Sequence, residues 1–472
     1  MIRVHEGTRR RVGQWMFNMV LVNLVELSSE TSRGLTLATL YLYVVKLGGG
    51  INELSALISI FSVGRLIAST IFGRMADTLT MRETYIISLV ISLIGNVLYV
   101  CADGINNYGM PMLVFSRFVV GFGAGNRSVC RSNVVKATAT DTRMRYMVIL
   151  QSTVYLGYAV TPGIARVLPY QKQQDFWSLG GVVPINIYTV PGIVLCLLNL
   201  FVLLCVLLGF EESVDREHEA FVAVERTEEE TLIVDSDAAK SRVVKTLEIV
   251  PSTGLSHRLA RIGFVIFLSL NFLLKGTLSI FETVTPVMFL ETTHQTTAST
   301  SSTPRGQQIA SFLFWLGIGG LGILLFVASQ KSNRSLSDHL CWISLFMQAI
   351  GCLMGALCEM HPNFSTLLAT EILVWSIASP IAGAVLISSF SYMLGSAKQG
   401  LSMGLIGSAG SLGRIVSPLF SGYMIGIGQG YLVFVFCSAL SLAASTALYW
   451  FNGAARRDRK SNGELRSLLH GH

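Results

Sequence analysis

The sequence predicts an all-α membrane protein with twelve spanning helices in two halves of six. Three observations point there. The 472 residues are 51% hydrophobic and only 13% charged, with a mean hydropathy of +0.57, whereas soluble domains average about 25% charged residues. Twelve apolar stretches are long enough to cross a bilayer, which takes about 20 helical residues. Lys and Arg collect in alternate connections, as the positive-inside bias produces.

In order, the spans are expected at 14–45, 52–75, 83–102, 111–137, 145–167, 187–210, 261–290, 307–329, 339–359, 366–394, 399–425 and 430–452. The first is long and is expected to tilt or to leave one end in the interface. Orientation follows from the cations. Arg3, Arg9, Arg10 and Arg11 precede span one, Arg74 and Arg82 follow span two, and Lys136, Arg143 and Arg145 follow span four. Lys331 and Arg334 follow span eight, and Arg456, Arg457, Arg459 and Lys460 follow span twelve. All share one side if both termini are cytoplasmic. The chain then divides into a cytoplasmic tail (1–13), a six-helix half (14–210), a linker (211–260), a second six-helix half (261–452) and a C-terminal tail (453–472). The linker is acidic first ("EESVDREHE", "ERTEEE") and basic later, and reads as a flexible cytoplasmic segment. "TTHQTTASTSSTP" (292–304) reads as a mobile luminal loop. "RRRVGQWMF" reads as a retained signal anchor, with no cleavable signal peptide.

Composition also excludes. The net charge of +7 is spread over loops and tails, so a nucleic-acid partner is not indicated. The eight cysteines stand singly, with no C-x-x-C pair. Neither a disulfide framework nor a zinc site is indicated, and Cys101 with Cys358 is a weak candidate pair. No nucleophile–base pair or metal cluster stands out, so neither an enzyme nor a cofactor is expected. A faint repeat supports two halves: "GYAVTPG" (Gly157–Gly163) in span five and "GRIVSPL" (Gly413–Leu419) in span eleven. Gly157 and Pro162, like Gly413 and Pro418, are separated by four residues.

Two stretches resemble the major facilitator superfamily. "RFVVGFGAGN" is similar to its fourth-helix motif, with Arg117, Gly121, Gly123 and Gly125. "GRMADTLTMR" resembles its loop between helices two and three, where Gly73, Asp77 and Arg82 fit, while Thr78 and Thr80 replace the usual basic residue and glycine. Further stretches, "GAGNRSVCRS", "NIYTVPG", "FETVTP" and "KQGLSMGLIGSAGSLGRIVSPLF", look like the lysosomal branch that includes the neuronal ceroid-lipofuscinosis membrane transporter. The resemblance implies alternating access around a midplane site and gating roles for these motif residues, with Arg131, Gly157, Pro162, Gly413 and Pro418. It also implies permeation of chloride or another anion. "GFGAG" sits inside an apolar helix rather than after a strand, so it reads as close helix packing and not as a dinucleotide fingerprint.

Charged residues select particular spans. Span one carries Glu26, Glu30 and Arg33; span four Arg117, Arg127 and Arg131; span seven Lys275 and Glu282; span ten Glu371. Spans two and eleven add Arg65 and Arg414. In the superfamily, helices one, four, seven and ten line the central cavity. A charge at mid-bilayer costs about 2.5–3.5 kcal/mol on insertion scales. Such residues therefore face a wet cavity, an opposite charge, or both, and gluing helices together is the competing role. Glu26, Glu30, Arg33, Arg65, Arg127, Lys275, Glu282 and Arg414 are the candidates for substrate or coupling contact. Glu30 and Arg33, three apart, are expected to pair. Lys275 and Glu282 lie two turns apart on one face. Arg117 and Arg131 have the alternative of snorkelling towards helix ends.

Cations outnumber carboxylates in this set, which favours an anionic solute. Glu282 or Glu30 is expected to take up a proton near luminal acidity. The leading expectation is a secondary transporter for a small anion in an endolysosomal membrane. The alternatives are a plasma-membrane cation-coupled symporter and a non-transporting receptor or scaffold on the same fold. Two peripheral expectations complete the reading. Asn363-Phe364-Ser365 is a glycosylation sequon in a luminal loop. Glu464, Leu468 and Leu469, in an unstructured tail, form an acidic dileucine signal for clathrin adaptors, with Glu228, Leu232 and Ile233 as a second, weaker match.

Overall fold

The computed structural model describes residues 2–38, 40–105, 108–138, 142–167, 177–179, 183–186, 188–212, 256–296, 305–330, 334–394 and 400–469. The first half comprises α1 (Ile2–Ala38), α2 (Leu40–Lys46), α3 (Ile51–Thr78), α4 (Met81–Cys101), α5 (Gly109–Gly123), α6 (Arg127–Lys136), α7 (Arg143–Val167) and α8 (Val190–Gly209). The second comprises α9 (His257–Thr296), α10 (Arg305–Ser329), α11 (Arg334–Met360), α12 (Phe364–Glu371), α13 (Ser379–Leu394), α14 (Gly400–Gly426) and α15 (Gly430–Leu469). A 3₁₀ turn, Ala124–Asn126, joins α5 to α6, and a π-helical segment, Ile372–Ala378, joins α12 to α13. Among the described residues twelve spans result once these interrupted helices are counted as one each and the seven-residue α2, too short to cross, is left out. Among the described residues, a non-helical element unforeseen in the sequence is a short antiparallel hairpin, β1 (Trp177–Leu179) with β2 (Val183–Ile185), in register Trp177 to Ile185.

Nine of the described helical spans are apolar and long enough to cross a membrane by length and composition. The expected spans outside that set are α1, α5 with α6, and α14. Two of these carry clusters of buried charge and the third is rich in Gly and Ser, so polarity in the bundle interior lowers their hydropathy. Large apolar side chains such as Leu208, Phe326 and Val265 are exposed on the outside, the surface a bilayer would cover.

Local chemistry sets the helix ends. At α4, Thr80 Oγ1 accepts from the Glu83 amide at 3.2 Å while Glu83 accepts from the Thr80 amide at 3.3 Å. This reciprocal cap satisfies two otherwise orphaned donors. At α12, Asn363 Oδ1 accepts from the Ser365 amide at 2.9 Å. One expectation fails at the C-terminus: the tail is not extended, because α15 continues as helix to Leu469. The run "RRDRKSNGELRSLL" has no proline to stop it.

The halves meet along two main seams, α3 against α14 and α7 against α10. Within each half the repeated glycine does the same job. A methyl group at Gly157 of α7 would lie 3.0 Å from the Thr31 amide nitrogen of α1, and one at Gly413 of α14 would overlap the Phe272 carbonyl of α9. The Gly-x4-Pro repeat thus marks equivalent close crossings in the two halves. Gly121 seats α5 on α3, Gly123 on α4, and Gly125 seats the 3₁₀ turn on α3, the close packing expected of them.

Candidate functional site

Charged side chains from five spans converge inside the bundle, and all are buried. α1 supplies Glu26, Glu30 and Arg33 along one stripe, since 3–4 residues make a helical turn. α3 supplies Arg65, α6 supplies Arg127 and Arg131, α9 supplies Lys275 and Glu282, and α14 supplies Arg414.

The partners are cross-helix. Glu30 Oε1 accepts from Arg65 Nη2 at 2.7 Å and from Arg127 Nη1 at 3.1 Å. Arg127 Nε lies 3.0 Å from Glu26 Oε1, close enough for an ion pair but off the angle of a hydrogen bond. Arg127 Nη2 also donates to Gln151 Oε1 at 3.1 Å. Glu282 is a second hub. It accepts from Arg33 Nη2 at 2.9 Å and from Arg414 Nη1 at 2.7 and 2.8 Å. Arg414 Nη2 further donates to the Tyr158 hydroxyl at 3.3 Å. The expected pair of Glu30 with Arg33 is therefore not formed. The i, i+3 spacing allowed it, but Arg33 reaches instead to α9 in the other half, while two guanidinium groups already hold Glu30.

Beside this network lies a narrow cavity on the seam between the halves. Arg65, Arg127, Arg131, Lys275 and Arg414 line it, with Asn271 and the hydroxyls of Ser69, Ser128 and Ser411. No carboxylate lines it among the described residues. It leaves about 20 Å³ open to the centre of a water molecule, room for about one water by that measure. Arg131 and Lys275 reach it with 4% and 5% exposure and have no hydrogen bond or ion pair among the described residues. Around the centre stand six cations (Arg33, Arg65, Arg127, Arg131, Lys275, Arg414) and three carboxylates (Glu26, Glu30, Glu282).

Arg117 is separate from the carboxylates. It donates to the Ser32 carbonyl at 3.0 Å and lies over the Phe61 ring at 4.7 Å. It is fully enclosed rather than snorkelling, and it ties α5 to α1 and α3. The loop motif closes the end of the α3–α14 seam. Asp77 accepts from the amides of Gly400 at 3.3 Å and Leu401 at 3.0 Å, which caps the positive end of α14. Gly73 abuts Gly400 and Gly404. Arg82 donates to the Leu207 carbonyl and so anchors α4 to α8. Arg143 reaches Ser391 of α13 at 2.9 Å, a second contact between halves near the same end.

Several contributors were not singled out in the sequence. Tyr158 lies in the "GYAVTPG" stretch, whose glycine and proline drew attention instead. Asn271 precedes Lys275 by one helical turn and donates to the Ile406 carbonyl at 2.6 Å. Gln151 has no sequence signal beyond being polar in an apolar span. "NIYTVPG" turns out to shape a turn: Asn186 Oδ1 accepts from the Tyr188 amide at 3.0 Å, and Asn186 Nδ2 donates to Asp103 at 2.5 Å. All eight cysteines are unpaired. Asn363 is exposed. Glu464, Leu468 and Leu469 fall on the extension of α15, and Glu228, Leu232 and Ile233 lie outside the described residues.

A twelve-helix bundle of two related halves, with a charge-lined cavity on the seam, defines a multi-pass membrane protein with a transporter fold. The chain matches the Major Facilitator Superfamily over residues 22–343 and belongs to it. That membership marks a transporter rather than an enzyme. The chain is 23% identical over 455 residues to the Xenopus laevis "Major facilitator superfamily domain-containing protein 8", covering 87% of this chain and 86% of the relative. Among solved structures it is similar to the human organic anion transporter MFSD10 (TETRAN), with a TM-score of 0.60 and 17% identity over 93% of this chain and 99% of that one. It is also similar to the proton:xylose symporter XylE, with a TM-score of 0.67 and 12% identity over 94% and 96% of the two chains. At these identities the solved structures establish the fold.

Proposed function

We propose that this protein carries a small anion, chloride being the first to try, across an endolysosomal membrane by rocking its halves around the cavity. The observation that carries this reading is the cavity's lining: among the described residues, five cations, no carboxylate, and two of the cations, Arg131 and Lys275, with no hydrogen bond or ion pair. A buried cation with no carboxylate in hydrogen-bond or ion-pair reach among the described residues is expensive, and an anionic ligand would supply a direct partner. The narrowness of the cavity favours a small inorganic anion. The similarity to an organic anion transporter supports the same sign of charge. Asp77 and Arg143 act in this reading as cytoplasmic gate contacts, and Arg33 with Glu282 as a tie between halves.

The test is flux. Purified protein in liposomes should take up radiolabelled chloride, or another anion from a panel, with a dependence on the pH gradient. Lys275→Gln and Arg131→Gln should each lower that flux at least about tenfold, equivalent to about 1.4 kcal/mol, while still inserting normally. Wild-type flux for every anion in both well-expressed variants would remove the positive cavity from the mechanism and favour a scaffold. Uptake that follows a sodium gradient and ignores anions would favour a cation-coupled symporter. Location is tested by imaging Leu468→Ala with Leu469→Ala, alone and with Leu232→Ala and Ile233→Ala. Leakage from lysosomes to the plasma membrane is expected, greatest for the fourfold change, and undiminished lysosomal residence would dismiss clathrin adaptors as readers of these signals. A glycosidase shift that disappears in Asn363→Gln would support the proposed orientation.

A further inference from the structure

We propose that the cavity is built for a small anion that carries its own O–H donor, as hydrogen carbonate does, and that Asn271 receives that hydrogen. The inference rests on the anion-transport reading and narrows its substrate class. The cations of the lining attract any anion, so they choose little among anions of equal charge. The choice falls to the neutral groups, and three of these have already committed their hydrogens. Ser128 Oγ donates towards the Ser69 and Gly125 carbonyls, each at 3.0 Å, and Ser411 Oγ donates to the Gly407 carbonyl at 3.1 Å. Asn271 Nδ2 donates to the Ile406 carbonyl of α14 at 2.6 Å, which fixes the orientation of the amide. Asn271 Oδ1 is the atom left over. The residue is 2% exposed, and this oxygen has no hydrogen-bond partner among the described residues. An amide oxygen has two lone pairs to offer, and leaving a buried acceptor unused is costly.

A halide, nitrate or thiocyanate brings only negative charge and lone pairs. It suits the guanidinium groups but sets its lone pairs against Asn271 Oδ1 and the two committed serine oxygens. An anion with an O–H satisfies both kinds of wall. Its charged oxygens accept from Arg131 and Lys275, neither of which has a hydrogen bond or ion pair among the described residues, and its O–H donates to Asn271 Oδ1. A site that hydrogen-bonds a substrate hydroxyl discriminates strongly against the analogue lacking it, because its own polar group is then left unpaired. The narrowness of the cavity selects within this class, favouring flat hydrogen carbonate over bulkier tetrahedral dihydrogen phosphate. The backbone makes room for the arrangement at Gly410 of α14. A methyl group there would lie 2.6 Å from Asn271 Nδ2 and 3.1 Å from Lys275 Cγ. Asn271 and Lys275 stand four residues apart on α9, so one helix face presents the acceptor and the cation together.

The experiment uses full-length protein in liposomes. Uptake of radiolabelled chloride, or of whichever anion in the panel is carried, is competed by hydrogen carbonate or by nitrate at equal pH on both sides. Nitrate is the control because it is flat, singly charged and of similar size but has no O–H. It also sheds water more readily, so it wins if dehydration alone decides. Competition is the readout because carbon dioxide crosses the bilayer unaided and would confuse uptake of labelled hydrogen carbonate. In wild type, hydrogen carbonate should half-inhibit at a concentration at least about tenfold below that of nitrate. Asn271→Leu, which removes the acceptor at similar size, should abolish that preference. Gly410→Ala, which keeps the amide but pushes it from its place, should weaken the preference in the same direction and guards against a misfolded Leu variant. Nitrate level with or ahead of hydrogen carbonate in wild type would overturn the proposal, as would a preference for hydrogen carbonate that survives both substitutions. Absence of uptake of every labelled anion in wild type would instead overturn the transport reading beneath it.

Discussion

Glu30 and Lys275 are both buried charges at the seam, yet their surroundings are opposite in kind. Glu30 faces two guanidinium groups, and the four residues Glu26, Glu30, Arg65 and Arg127 balance in charge. Lys275 and Arg131 line one cavity, where no carboxylate stands among the described residues. The first arrangement holds helices α1, α3 and α6 together. The second makes no such tie among the described residues and, on the anion reading, leaves two cations free to meet a negative ligand. Buried charge in this protein is therefore of two types, one paired within the fold and one with no hydrogen bond or ion pair among the described residues. Most of the candidate residues belong to the first type.

The comparison is broken most severely at Glu30. Glu30→Gln strands two arginines, and loss of one member of a buried ion network costs about 3–5 kcal/mol. The melting temperature in detergent should fall sharply and surface expression with it; an unchanged melting temperature would show that the network stabilises little. A smaller effect is expected at the second hub. In a double-mutant cycle of Arg33→Gln with Glu282→Gln, the coupling should be about 0.5–3 kcal/mol, and strict additivity would show that the contact between halves is energetically idle. Asp77→Asn should remove about 0.3–1 kcal/mol of favourable charge at the α14 N-terminus, read as faster exchange of the Gly400 and Leu401 amides. Lys275→Gln and Arg131→Gln should not lower the melting temperature, because each removes a buried charge with no hydrogen bond or ion pair among the described residues, although these should lose the most anion flux. A large fall in melting temperature in either would move that residue into the paired class.

The halves and their helices were legible because a bilayer imposes a length and a polarity on each span. The expected 399–425 span is found at Gly400–Gly426, and the expected 145–167 span at Arg143–Val167. Polar breaks were less legible. The π segment Ile372–Ala378 does have a marker in "EILVWSIASP": Pro380 cannot donate to the Ser376 carbonyl one turn back, so the regular ladder is interrupted there. The charged set was readable because charge in an apolar span is rare, but its pairing was not. Helical spacing proposed Glu30 with Arg33, whereas tertiary neighbours decided for Arg65 and Arg127. Likewise a polar tail suggested an extended peptide, yet α15 runs on through it without a stop signal.

The narrowness of the cavity bears on selectivity. An ion entering a space that admits about one water must leave most of its own hydration shell behind. Asn271, the serine hydroxyls and the cations Arg131 and Lys275 are then its replacement shell, and they are few. On the anion reading, preference should follow the ease of dehydration, with thiocyanate and iodide ahead of chloride and chloride ahead of fluoride. Removing a hydroxyl, as in Ser411→Ala, should steepen that order by making the protein a poorer substitute for water.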